Sequence, residues 1–380
     1  MQYSKCNIQH LICNIQNFLA NILCFTTFTF TNLKFQQSNV LNFFIVFLQK
    51  LESLMTGTIY KSTGSWYTLK QVDGTFLDCR IKGKFRLKGI KSTNPIAVGD
   101  IVDYEIDENS DKITGTIHHI HERKNYIVRK SVNLSHQMHI IASNLDYVFL
   151  LITVNNPPTT FNFIDRFLIT AEAYGIETVL IFNKIDTFND DILDEQLFMQ
   201  HVYEDIGYKC LRVSALENKG VEELKSMMMG KVTMFSGHSG VGKSTLVNAL
   251  EPNLNLKTNQ ISEQSKQGQH TTTFAEMFDL SFGASIIDTP GIKGFGIVDL
   301  EKEDIAGYFP EFFKLKDKCK FNNCLHKEEP NCAIKKALDE NKISWTRYNS
   351  YLKILEGDEE HYRADVYNED RIASDETRKS

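Results

Sequence analysis

The segment Gly237-His238-Ser239-Gly240-Val241-Gly242-Lys243-Ser244 constrains this chain more than any other. It satisfies G-x-x-x-x-G-K-[ST], the pattern of a loop that wraps phosphate. Small residues let backbone N–H groups close around phosphate oxygens, and the N-terminus of a following helix adds positive potential. The flanks agree: residues 231–236 read as a buried strand, and residues 245–250, from Thr245 onward, as the start of a helix. Lys243 is placed to reach the terminal phosphates and Ser244 to hold Mg²⁺. The residues Gly237 to Thr245 are therefore candidate nucleotide ligands, and they require an α/β sheet around them.

Two stretches upstream choose the base. A strand at 178–182 runs into Asn183-Lys184-Ile185-Asp186, an N-K-x-D motif. The Asp186 carboxylate can accept from both N1–H and the exocyclic amine of guanine, a pair that adenine does not offer. Asn183 can bond the base and tie loops together, and the Lys184 stem can cover the ring. One α/β unit later, a strand at 210–213 is followed by Ser214-Ala215-Leu216, whose backbone N–H groups can face guanine O6. Downstream of the phosphate loop lies the polar segment 267–273, where Thr271 can close over Mg²⁺. A strand at 284–287 then delivers Asp288-Thr289-Pro290-Gly291, a D-x-x-G motif. There Asp288 would support Mg²⁺ and the Gly291 N–H would sense the γ-phosphate.

The order of these motifs is inverted relative to Ras-like GTPases, in which the phosphate loop comes first. Here the guanine motifs precede it, which is a circular permutation: the same sheet can form with new ends. One mechanical consequence is that the chain passes from the second switch, at Gly291, directly into the C-terminal region.

On the N-terminal side, residues 55–130 carry short strand patterns at 57–61, 66–70, 75–88, 101–106 and 112–120. Asp73-Gly74 marks a hairpin between two of them. Five short strands in so few residues suggest a small barrel of the oligonucleotide-binding type. In the third, Arg80, Lys82, Lys84, Arg86 and Lys88 alternate with Ile81, Gly83, Phe85 and Leu87. Period two puts the five cations on one face. A face of one sign repels itself unless an anion covers it, so the strand is expected to face RNA, with Arg123, Lys124, Arg129 and Lys130 continuing the patch.

Behind the GTPase region, expected over 131–300, a region at 301–356 contains Cys319-x4-Cys324-x-His326-x5-Cys332. Three thiolates and an imidazole fill a tetrahedral Zn²⁺ shell, so a structural zinc site is expected there. Helices are expected at 333–340 and 344–356, the second with an apolar stripe of Trp345, Tyr348, Leu352 and Leu355 turned to the core. The tail 357–380 is acidic and polar.

The 380 residues suffice for two or three domains. The net charge of −6 excludes a globally basic nucleic-acid binder. Eight cysteines, three of them in the metal-like cluster, fit a reducing compartment such as the cytoplasm. Residues 1–54 stand apart, with no charge between Lys5 and Lys34. Asparagines break their first apolar run and the second is too short to span a bilayer. Met55 is the expected working start, with no membrane anchor.

Taken together, these motifs resemble the circularly permuted small ribosomal subunit biogenesis GTPases of the RsgA/YjeQ family. The resemblance covers residue 55 to about residue 355. It rests on Asn183-Lys184-Ile185-Asp186, Ser214-Ala215, the phosphate loop, Gly268 to Thr273, Asp288 to Gly291 and the Cys319, Cys324, His326, Cys332 cluster, in that order behind a small barrel. It implies an oligonucleotide-binding barrel, GTP and Mg²⁺, one structural zinc, contact with ribosomal RNA on a late small-subunit precursor, other maturation factors nearby, and GTP hydrolysis stimulated by that particle. A monomer is expected. Ras-like enzymes place a water-orienting glutamine after D-x-x-G; here Ile292 stands there. His270 is the nearest candidate to orient or deprotonate water, and the family pattern gives its matching histidine this role. The competing reading is an RNA-binding assembly scaffold that nucleotide merely stabilises, with negligible catalysis. A zinc-dependent redox or hydrolytic protein is disfavoured, because all four metal positions are taken.

Overall fold

The computed structural model describes residues 55–81, 95–107, 113–130, 138–252, 275–288 and 301–357. The first five strands are β1 (Met55–Ser62), β2 (Tyr67–Lys70), β3 (Phe76–Ile81), β4 (Ile101–Asp107) and β5 (Thr114–Ile120). They pair in the order β1-β2-β3-β5-β4, and β4 returns to β1, which closes a barrel. The β3–β5 pairing is parallel. Alternate residues fill the interior: Ile59, Tyr67, Leu69, Leu77, Cys79, Val102, Tyr104 and Ile117 form one core, as period two requires of a closed sheet. The expected cationic strand is described only as far as Ile81, so Lys82, Lys84, Arg86 and Lys88 lie outside the described residues.

A two-stranded ribbon, β6 (Tyr126–Lys130) with β7 (Met138–Ser143), links the barrel to the second sheet. That sheet contains β8 (Tyr147–Ile152), β9 (Thr178–Asn183), β10 (Lys209–Val213), β11 (Val232–Ser236), β12 (Glu276–Asp279) and β13 (Ser285–Asp288). The spatial order is β10-β9-β8-β11-β13-β12. All neighbours are parallel except β12–β13. Strand β8 is apolar at nearly every position because both faces are covered. Val148, Leu150 and Ile152 join one core with Phe163, Ile164 and Phe167. Phe149 and Leu151 join the other with Leu224 and Leu246. The covering helices are α1 (Phe161–Ala173), α2 (Asp190–Ile206), α3 (Val221–Met228) and α4 (Lys243–Leu250). Thr160 caps α1 by accepting from Phe163 N, and Asn189 caps α2 by accepting from Ile192 N.

The two sheets are one hydrogen-bonded surface. Strand β1 of the barrel pairs with β12 of the nucleotide domain, Lys61 opposite Glu276. The C-terminal region packs short helical turns, α5 (Ala333–Asp339) and α6 (Trp345–Glu356) around a third core of Phe309, Phe312, Ile334, Tyr348, Tyr351, Ile354 and Leu355, joined by Ile169 of α1. The α6 stripe differs from the expected one at one end. Trp345, the first helical residue, is 63% exposed, whereas Arg347 is fully buried. The helix is rotated so that 347, 348, 351, 354 and 355 face inward, because a buried ion pair draws Arg347 under. Among the described residues no helix is long and apolar enough to cross a membrane.

Candidate functional site

Strand β11 lies between β8 and β13, so the phosphate loop emerges at the centre of the sheet. The loop turns through three glycines of positive φ: Gly237 at 142°, Gly240 at 83° and Gly242 at 95°. Space is as restrictive as the dihedrals. A Cβ on Gly237 would stand 2.7 Å from the Leu151 carbonyl oxygen, and one on Gly242 would stand 2.5 Å from Asn183 Nδ2. Gly242 also precedes α4 with no side-chain cap on the helix. The first N–H groups of α4 are thus left for an incoming anion. Ser244 is half-buried in its first turn, and Thr245 is exposed.

Lys243 bends back over the loop. Its Nζ donates to the carbonyls of Gly237 at 2.5 Å and His238 at 2.7 Å. Burial lowers its pKa to about 8, against the opposing pull of Asp288. An ammonium held in a dry loop beside carbonyl oxygens gains strongly from an arriving phosphate. Asp288, at the end of the neighbouring strand β13, is half-buried and near enough to act on that charge. The His238 side chain turns to α1 and leaves its backbone to the loop. Its ring packs on Phe163 in the first turn of α1, centroids 3.7 Å apart, and burial, then Lys243, lowers its pKa to about 4. It is a neutral spacer between loop and helix. Ser239 and Gly240 are exposed at the tip and Val241 is buried beneath it.

The guanine motif meets this loop directly. Asn183 ends β9, and its Nδ2 donates to the Val241 carbonyl at 2.8 Å. The missing Cβ of Gly242 leaves room for that amide. Asn183 Oδ1 is buried with no hydrogen-bond partner, which leaves an acceptor available at the site. Lys184 adopts a left-handed conformation, φ 62°, and its Nζ reaches the Asn156 carbonyl at 2.7 Å. Ser214 follows β10; its hydroxyl donates to Asp186 Oδ1 at 2.5 Å and accepts from Glu217 N at 3.1 Å. That bond holds the Asp186 carboxylate in place before any base arrives. Ala215 sits half-buried beside it. One element escaped the sequence reading. The loop after β8 carries Asn155 and Asn156, bonds Lys184 and packs Pro157 near Gly240. The signal was present as Asn-Asn-Pro-Pro directly after a buried strand. His270, Thr271 and Gly291 lie outside the described residues.

At the other end of the molecule, Cys319, Cys324, His326 and Cys332 bring their donor atoms within 4.8 Å of one another. His326 Nδ1 stands 3.6 Å from Cys319 Sγ and 3.4 Å from Cys332 Sγ. A tetrahedral ion with Zn–S of about 2.3 Å and Zn–N of about 2.0–2.1 Å sets such pairs about 3.6 Å apart. The donor set and its spacing therefore fit zinc. The ligand loop is anchored to α6: Tyr348 donates to the His326 carbonyl at 2.6 Å and Tyr351 to the Leu325 carbonyl at 2.7 Å.

With this geometry in view, the comparisons with known proteins agree. Residues 56–117 match the family model described as the RsgA N-terminal domain, and residues 120–298 match the model described as the RsgA GTPase. The small ribosomal subunit biogenesis GTPase RsgA of Flavobacterium psychrophilum is 80% identical over 324 residues, 85% of this chain and 99% of that protein. The chain belongs to the RsgA GTPase family. The Bacteroides thetaiotaomicron protein named small ribosomal subunit biogenesis GTPase RsgA 2 is 52% identical over 82% of this chain and 99% of its own length. Among solved structures, YjeQ from Thermotoga maritima is similar, with TM-score 0.66 and 34% identity over 80% of this chain and 98% of that one. YloQ, described as a circularly permuted GTPase, gives TM-score 0.63 and 27% identity over 80% of this chain and 94% of that one. The inverted motif order in this RsgA-family chain is thus a shared architecture.

Of the expected RNA face, Arg80 is exposed, and its guanidinium stacks 3.9 Å over the Trp66 ring. Arg123 must be removed from that face. Its guanidinium is buried against the fully buried Asp100, with both carboxylate oxygens at 2.6 Å, and also donates to the Pro95 carbonyl. Lys124 pairs with Asp146. Arg123 holds the barrel exit together because Asp100, two positions after Val98, needs a buried counter-charge.

Proposed function

We propose that this chain is a GTPase of small ribosomal subunit biogenesis that engages a late subunit precursor in its GTP form and leaves after hydrolysis. The observation that carries the reading is the bond from Asn183 to the Val241 carbonyl. It ties a guanine-selecting loop to a phosphate loop, and neither would need the other in a protein that bound only one half of the ligand.

Asp186 reads the base edge and Ser214 presets it. Asn183 positions the loop, and the Lys184 stem covers the ring. Gly237 to Gly242 close their backbone N–H groups on the phosphates, with Lys243 supplying charge. Ser244, Asp288 and Thr271 are oxygen donors suited to Mg²⁺; bound with GTP, that ion offsets charge developing on the transferred phosphoryl group. Gly291 senses the γ-phosphate. His270 orients the attacking water, since Ile292 cannot. The cysteine cluster holds one structural zinc. Arg80 and Trp66, followed by Lys82, Lys84, Arg86 and Lys88, contact ribosomal RNA by charge and stacking. The chain works as a monomer in the cytoplasm, among other maturation factors.

The test is single-turnover GTP hydrolysis with and without saturating small subunits, on the wild type and His270→Ala. Stimulation by the particle is expected, with a loss of about 10²–10⁴-fold in the variant and little change in GTP affinity. Turnover that stays negligible even on saturating particles would leave only a scaffold role. A variant hydrolysing within about threefold of wild type, far short of that range, would remove His270 from the mechanism.

A further inference from the structure

Strand β5 changes phase along its length. Gly115 and Ile117 face the barrel interior. Strict alternation would send residues 119 and 121 inward as well. The pairing with β4 prevents this. Tyr104 lies opposite Ile117 and Asp103 opposite His119, so His118 is an extra residue on β5. Such a bulge re-aims the side chains beyond it. Ile120 now packs toward the core, while His119 and His121 point outward on the side of Asp103.

The three side chains converge. Asp103 Oδ1 lies 2.8 Å from His121 Nε2, and Asp103 Oδ2 lies 3.4 Å from His119 Nδ1. The imidazole centroids are 5.3 Å apart, and one donor atom from each residue falls within a 4.8 Å cluster. Thr56 on β1 donates to the same Asp103 Oδ1 at 3.2 Å and helps to orient the carboxylate.

We propose that this face of the barrel is a second divalent-metal site, with Asp103, His119 and His121 as ligands for an ion of the zinc class. Bonds of about 2.0–2.2 Å to nitrogen and oxygen set neighbouring donors about 2.9–3.4 Å apart for right to tetrahedral angles. Each imidazole already stands at or near that spacing from one carboxylate oxygen, His121 from Oδ1 and His119 from Oδ2, and the three donors lie within 4.8 Å when a single oxygen is the ligand. The remaining edge closes by rotation of two exposed side chains. Two imidazoles with one carboxylate suit zinc, nickel or copper, whereas Mg²⁺ and Ca²⁺ take oxygen shells. Three protein donors leave a position for water, so this ion exchanges with solvent, unlike one in the closed cysteine cluster. Bound, it clips β4 to the last turn of β5, just before Arg123 and the exit toward the nucleotide domain.

The experiment uses the full chain equilibrated with buffered Zn²⁺, gel-filtered and counted by elemental analysis, with a parallel Co²⁺ titration followed by absorbance. Thiolate-to-cobalt charge transfer reports the cysteine cluster alone. Wild type should take two ions, and His119→Ala/His121→Ala one, with the thiolate band unchanged. Asp103→Asn should weaken the second ion by more than the about 10–100-fold typical of losing an outer-shell partner. Excess Mg²⁺ should not displace it. A wild type that holds only the ion with the thiolate band overturns the proposal, as does a second ion bound equally well by the double variant. Loss of the thiolate band alone would count against the cysteine site and leave this one standing.

Discussion

The nucleotide domain is joined to its neighbours in two contrasting ways. The barrel meets it along one edge, with one backbone pairing of Lys61 with Glu276, a Tyr60 hydroxyl on Asp279 at 2.6 Å, and part-exposed ion pairs from Lys61 to Glu276 and Lys70 to Asp279, while Tyr60 and Val98 reach its core and the buried Arg123–Asp100 pair holds the exit. The C-terminal region meets it through a fully buried charge. Arg347 donates to Asp165 on α1 at 2.5 Å and to both Glu311 oxygens at 2.8 and 3.2 Å, while Tyr203 donates to the same Asp165 at 2.8 Å. Exposed pairs yield little free energy and tolerate sliding. A desolvated network tolerates neither loss of a partner nor displacement. The barrel joint borders β12, the strand that follows the polar segment 267–273, and its ion pairs along that edge are the exposed ones. The C-terminal joint grips α1, whose first turn packs on His238, and is the fixed one.

The sharpest break is Cys324→Ser. A structural ion supplies folding free energy, so with the proposed zinc on this cluster the C-terminal region should lose both the ion and its protease resistance while GTP binding survives. Undiminished resistance would mean that the Arg347 network alone holds this joint. Next is Arg347→Met, which strands Asp165 in the interior. A loss of about 3–5 kcal/mol in urea unfolding is expected. Adding Asp165→Asn should recover part of it, because the amide still accepts from Tyr203. A cost below about 1 kcal/mol, typical of surface pairs, would erase the contrast between the joints.

A smaller effect is carried by pH. In the empty loop Lys243 titrates at about 8, and nucleotide takes the protonated form. GTP affinity should therefore hold below pH 8 and fall above it, by about tenfold at pH 9. Arg347→Met should shift this fall upward by loosening α1 against the loop. Lys61→Ala/Lys70→Ala should leave it unmoved. A flat profile from pH 7 to 9 in wild type would contradict the buried ammonium. The smallest change expected is in stability itself for Lys61→Ala/Lys70→Ala, about 0–1 kcal/mol per pair and less in high salt.

What could be read from the amino acids follows from range. The phosphate loop, N-K-x-D and D-x-x-G are short segments whose backbone geometry is local, so their order and flanking strands were legible, as were the five barrel strands. Arg347 was not, because its partners Asp165 and Glu311 stand 182 and 36 residues away. Without them a helical stripe through Trp345 looks like the better core face. Arg123 was misread for the same reason: a cation near a barrel exit looks solvent-facing until Asp100 is seen buried beneath it. The bulge at His118 depends on the β4 register, which no single strand reveals.

The pairing of β1 with β12 also imposes a schedule on synthesis. Lys61 and Glu276 are 215 residues apart, so at about 5–20 residues per second the barrel waits roughly 10–40 s for its partner strand to be made. The motif order adds to that wait: Asn183 emerges before the Val241 carbonyl that it must grip. The growing chain therefore holds the end of β1 without its β12 partner, and half a ligand site, until its last third is translated, and β12 then turns back into β13, which ends at Asp288.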